Sequence, residues 1–116
     1  MSEAPLQGEV IWADPEPIRG REQAKPRPFL VVSVDSLNRS PLELVLAVPL
    51  TTSDFGNALH VPVDPPEGGV RQPSFVMPEQ LRAMSLDRFG KRLGSVRNAT
   101  LLDVLKRCRL LLRDPR

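Results

Sequence analysis

The residues best suited to chemistry are packed into nine positions. Gly20-Arg21-Glu22-Gln23-Ala24-Lys25-Pro26-Arg27-Pro28 holds three cations, one carboxylate and one amide. Arg27 stands immediately before the apolar run Phe29-Leu30-Val31-Val32-Ser33-Val34, so its backbone is anchored while its side chain is free to enter a cleft. A guanidinium aimed that way recognises phosphate through two parallel N–H bonds. The plain alternative is a charged turn. A second candidate is the hydroxyl of Thr51, where an apolar stretch ends in Val48-Pro49-Leu50-Thr51-Thr52. His60 is the single imidazole, which excludes a two-histidine ribonuclease mechanism within one chain; between Leu59 and Val61 it reads as a rim or structural residue. No Gly-rich phosphate loop, nucleophile elbow or spaced metal-ligand cluster occurs.

These residues need strands to hold them. Gly8-Glu9-Val10-Ile11-Trp12-Ala13-Asp14 alternates as a first strand, with Val10 and Trp12 on one face. Residues 14–28 carry four prolines and no periodicity, a long connecting loop of the kind that is usually functional. The run 29–34 predicts a buried strand and 35–41 a polar turn. Strands are further expected over 42–50, 60–63 (an edge strand, from Pro62), 74–77, 80–84 and 92–96. From Thr100 the pattern changes. Leu101, Leu105, Cys108 and Leu112, with Val104 and Leu111 beside them, recur as a helical stripe. Asn98 or Thr100 is expected to cap that helix, with Asp103 completing a capping box, and Cys108 faces the core. The sum is six or seven short strands and one C-terminal helix, a barrel-like β domain occupying residues 1–116. Trp12 and Phe29 are expected in its core.

Composition agrees. The chain has 116 residues, 41% hydrophobic and 26% charged, with 13 prolines and seven glycines. Prolines confined to turns and strand ends suit a mostly β domain. The longest apolar run, 44–50, is far short of the roughly 18 residues of a membrane span, no secretory signal is visible, and one cysteine allows no internal disulfide. A soluble, cytoplasmic protein is expected. Residues 1–60 carry five Lys/Arg and eight Asp/Glu, whereas residues 61–116 carry eleven and six. The basic second half points to an anionic partner, or else to a solvated basic helix face.

In order along the chain, Gly8-Glu9-Val10-Ile11-Trp12-Ala13-Asp14, Pro17-Ile18-Arg19-Gly20-Arg21-Glu22-Gln23-Ala24, Arg27-Pro28-Phe29-Leu30-Val31-Val32, Val48-Pro49-Leu50-Thr51-Thr52 and Glu79-Gln80-Leu81-Arg82 resemble the signature of the MazF/PemK family, the toxins of type II toxin–antitoxin pairs. The resemblance covers nearly the whole chain. It implies a mostly β fold, a small SH3-like β-barrel (CcdB/PemK-like) with a C-terminal α-helix, that forms a homodimer. It further implies a sequence-specific endoribonuclease cutting single-stranded RNA without metal or cofactor. The substrate's 2′-hydroxyl attacks, leaving a 2′,3′-cyclic phosphate and a 5′-hydroxyl, and a small acidic MazE-like antitoxin restrains the enzyme.

Carried over by residue, the resemblance makes Arg27 and Thr51 catalytic. Gln23, Ser74, Glu79 and Gln80 fall on RNA-binding positions, and Arg21 and Lys25 add cations beside them, where the family has Ser and Gly. Val34 replaces an Asn. The chemistry suits these types, because preorganised donors stabilise the charge of a phosphorane. Arginine is a poor base, so Glu22 is the candidate to take the 2′-hydroxyl proton; the alternative is a salt bridge that orients Arg27. With five aromatics in the chain, no wide base-stacking platform is expected. A CcdB-like poison that binds DNA gyrase on the same fold is the alternative function. The tail Leu112-Arg113-Asp114-Pro115-Arg116 lacks the tryptophan of such proteins. A family member that binds RNA without cutting it is a third reading.

Overall fold

The computed structural model describes residues 3–15, 20 and 25–115. The apolar runs form the strands expected of them. They are β1 (Glu9–Ala13), β2 (Arg27–Val31), β3 (Leu44–Thr51), β4 (Val61–Val63), β5 (Ser74–Val76), β6 (Arg82–Ser85) and β7 (Phe89–Ser95). Two helices accompany them, the four-residue α1 (Asp35–Asn38) and the 14-residue α2 (Asn98–Leu111). All pairings are antiparallel, in the order β4-β5-β3-β2-β1-β7. The long β3 serves three neighbours: β2 along one edge, and on the other β6 with its first half and β5 with its last two residues. The sheet therefore curls into a half-barrel closed by α2, and β4 is an edge strand as Pro62 implied.

Two apolar clusters fill it. Val10, Leu30, Val48, Leu50 and Val76 pack with Val104 and Cys108 of α2, whereas Ile11, Ala13, Phe29, Val45, Met84 and Phe89 form the other. Alternating residues of β1 thus serve different clusters, helped by register irregularities against β7. Trp12 departs from expectation: it is 45% exposed, not core. It does alternate with Val10, but the Val10 cluster ends before reaching it, and the indole stands at an opening.

Four other expectations are corrected. The predicted strand 29–34 stops at Val31, because the chain turns to form α1 in place of a plain polar turn. The buried Asn38 amide holds that turn by donating to the carbonyls of Pro5 and Ser33. Gln80 lies in a tight turn (Pro78–Gln80) that precedes β6. On α2 the buried face is Thr100, Val104 and Cys108, while Leu111 and Leu112 are exposed because the helix outruns the core. No local side chain caps α2. Glu67 does so from a distant turn, accepting the Arg97 backbone N–H at 2.9 Å and a hydrogen bond from Thr100. Among the described residues no helix is long and apolar enough to cross a membrane.

Candidate active site

The β2–β3 ladder pairs Phe29 with Pro49 and Leu30 with Val48. Continued two residues, that register sets Arg27 opposite Thr51. The side chains confirm the proximity: Arg27 Nη1 donates to the Leu50 carbonyl at 3.4 Å, and its Nε donates to the Lys25 carbonyl at 3.3 Å. The guanidinium is thus tethered to the peptide group that leads into Thr51. These two bonds leave further donors of the five-donor fork available. Arg27 forms no ion pair among the described residues, and partial burial lowers its pKa from the ordinary value. It stays a cation at neutral pH.

Thr51 is buried at the very end of β3, paired in register with Phe75. Its Oγ1 accepts the Ser53 backbone N–H at 3.1 Å, which fixes the oxygen and leaves its proton to donate. Both residues line one cleft of about 550 Å³, a size typical of ligand sites, roughly 300–1,000 Å³. Ser74, at the start of β5, lines it too; its hydroxyl donates to the Gln72 carbonyl at 2.9 Å.

The opposite end of the cleft depends on a close approach. Gly69 has a φ of +73°, and a Cβ there would collide with the Leu93 carbonyl oxygen. Only glycine lets this loop lie flat on β7, and the consequence is that Arg71 and Gln72 reach the cleft. These two and Trp12 are lining residues that sequence reasoning missed. Among the described lining residues there are two guanidiniums and no carboxylate or imidazole.

The remaining expected site residues are placed as follows. Lys25 is exposed and contributes its carbonyl to Arg27 rather than lining the cleft. Glu79 and Gln80 sit in the turn before β6, away from the lining. Glu79 Oε2 lies 2.8 Å from Nε2 of the buried His60, which is the structural place foreseen for that histidine, and Phe55 meets the imidazole edge-on at 6.1 Å. Arg21, Glu22 and Gln23 lie outside the described residues. Among the described residues no group of three or more His, Cys, Asp or Glu gathers as a metal centre would need.

Comparison with known proteins gives this geometry a family. Residues 6–112 match the family described as PemK-like, MazF-like toxin of type II toxin-antitoxin system. Endoribonuclease EndoA of Bacillus subtilis is 32% identical over 87 residues, 74% of this chain and 75% of the relative. Endoribonuclease MazF of Staphylococcus epidermidis is 26% identical over 98 residues, 84% of this chain and 82% of the relative. The crystal structure of MazF from Deinococcus radiodurans superposes with a TM-score of 0.85 at 25% identity, covering 95% of this chain and 97% of that one. An endoribonuclease in complex with its cognate antitoxin, from a mycobacterial species, gives 0.76 at 26% identity with 98% of both chains covered. With the family matched across almost its whole length, the chain belongs to the PemK-like, MazF-like toxins of type II toxin–antitoxin systems.

Proposed function

We propose that this toxin is a metal-independent, sequence-specific endoribonuclease and that its reaction centre is the Arg27–Thr51 pair. The endoribonuclease names of its relatives support the activity. The observation that carries the assignment is the guanidinium tethered through Leu50 beside a buried, oriented threonine hydroxyl in one open cleft. Two such donors are suited to holding the non-bridging oxygens of a phosphodiester as negative charge builds. The 2′-oxygen bonds to phosphorus as the P–O5′ bond breaks, giving a 2′,3′-cyclic phosphate and a 5′-hydroxyl. The 2′-hydroxyl proton passes to Glu22, and Arg27 gives a proton to the leaving 5′-oxygen and regains one from solvent. Gln23, Arg21, Lys25, Ser74, Glu79 and Gln80 guide the single strand to that point.

The whole chain, 1–116, acts as one toxin domain in the cytoplasm, as a homodimer restrained by an acidic antitoxin. The solved toxin–antitoxin complex supports the restraint, and exposed Leu110 and Leu111 on basic α2, with Leu112 just beyond it, offer the apolar and cationic surface that such partners bury. The test is incubation of the purified protein with long single-stranded RNA in excess chelator. Discrete cuts with 5′-hydroxyl and cyclic-phosphate ends are expected. Intact RNA from a protein that still arrests growth would favour the gyrase-binding poison.

A further inference from the structure

β1 carries a conflict between its residues and their surroundings. Val10, Ile11 and Ala13 are fully buried, yet the bulkiest side chain of the strand, Trp12, is 45% exposed. A lone exposed apolar residue ordinarily carries no message. This one lies in the cleft of Arg27 and Thr51, and its strand is paired with the arginine strand: Trp12 stands opposite Pro28, and Ala13 opposite Arg27. Its mount is rigid, since β1 is held between β2 and β7.

The lining says what such an indole would meet. Arg27 and Arg71, with no carboxylate among the described lining residues, select an anionic occupant. An exposed indole selects one with a flat π-face. A nucleotide has both, joined at the distance between a base and its own backbone. We propose that Trp12 is the stacking platform for an RNA base adjacent to the phosphate held by Arg27 and Thr51. This inference rests on the ribonuclease reading above. Gln72, which offers an amide donor and acceptor in the same cleft, is placed to read the edge of that base.

The composition supplies the probe: Trp12 is the single tryptophan of a chain with no tyrosine, so tryptophan emission reports on this position alone. The wild-type protein is titrated with a single-stranded oligoribonucleotide of the cleaved sequence, carrying 2′-deoxyribose at the nucleotide whose 2′-oxygen would attack. Saturable quenching is expected. Replacing one base beside the cut by an abasic sugar abolishes the quenching and weakens binding roughly 5- to 100-fold. Trp12→Ala weakens binding of the labelled, intact oligonucleotide to the same degree, and Trp12→Phe restores most of it. RNA that is bound and cut with no change in emission at any base overturns the stacking role while leaving the ribonuclease reading intact. Emission changed by purified antitoxin but not by RNA also overturns it, assigning the indole to a protein segment. RNA neither bound nor cut overturns both. Should Trp12→Ala fail to fold, the emission of the wild-type protein across the abasic series still decides.

Discussion

The two apolar clusters of this half-barrel share β1, β2 and β3 but are completed by different strands and end differently. The cluster around Ile11, Phe29 and Met84 is sealed, with Leu86 as its half-buried margin. The cluster around Val10, Leu50 and Val76 is covered by α2 on one side and opens on another, where its own members Leu50 and Val70 become cleft wall. Catalytic candidates sit where packing stops. A strand end that is buried up to its last residue can present Thr51 with little freedom, while the space beyond it admits a substrate. The sealed cluster supplies the rigidity and the open one supplies access, so substitutions in the two should separate stability from activity.

The sharpest way to break this contrast is to damage the sealed side. Met84 is 1% exposed on β6 and does not line the cleft. Met84→Ala is expected to cost about 2–5 kcal/mol in denaturant unfolding, through lost burial and the cavity left behind. RNA cleavage per folded molecule should not change; a loss beyond the folded fraction would mean that the two sides are coupled. Thr51→Val sharpens the other half. It keeps the shape of the strand end and removes the hydroxyl proposed to serve a charged phosphoryl group, a contact worth about 1.5–3 kcal/mol. Turnover should fall roughly 10- to 100-fold with nearly unchanged RNA affinity, read by single-turnover kinetics. An affinity loss alone would move Thr51 to substrate binding.

A smaller effect concerns the fastening of α2. Burial alone would raise the pKa of Glu67, but the hydrogen bonds from Thr100 and Arg97 and the charge of Arg97 outweigh it and hold the carboxyl below its ordinary value. A depressed folded-state pKa contributes stability that is present above the unfolded value, about 4.3, and is lost as pH falls through the folded one. Acid unfolding should therefore show a limb in the region below pH ~4 that Glu67→Gln flattens, together with a small loss of stability at neutral pH. An unchanged acid limb would sever Glu67 from α2.

Much of this architecture is legible in the sequence, for identifiable reasons. Apolar runs bounded by Pro41 and Pro73 mark strands, although Pro28 and Pro49 stand inside β2 and β3, where proline is uncommon. Arg27 is legible because, with Pro28, it leads into such a run, and Thr51 because it directly follows one. Period-two alternation tells which side of β1 Trp12 takes, but not how far along that side the core extends, and this is why a cleft residue reads as core. The leucines of α2 occupy positions all around the helix, so counting them cannot select the buried face; contact with β4 and with the turn before β6 does. The cap from Glu67 reaches across 30 residues to Arg97. Arg71 and Gln72 enter the cleft only because Gly69 lies against Leu93, a contact between loop and strand that no local pattern encodes.

In the proposed mechanism a tethered Arg27 guanidinium stabilises the phosphorane without supporting the fold. Wild type and Arg27→Ala, matched for unfolding midpoint and oligomeric state, are compared on one long single-stranded RNA in excess chelator, with the fragment ends sequenced. Cleavage by the variant is expected to fall by at least about 10²- to 10³-fold, the loss typical of a removed oxyanion-type donor, with stability unchanged. Cuts at the same sites and rates in an equally stable Arg27→Ala protein would contradict the account.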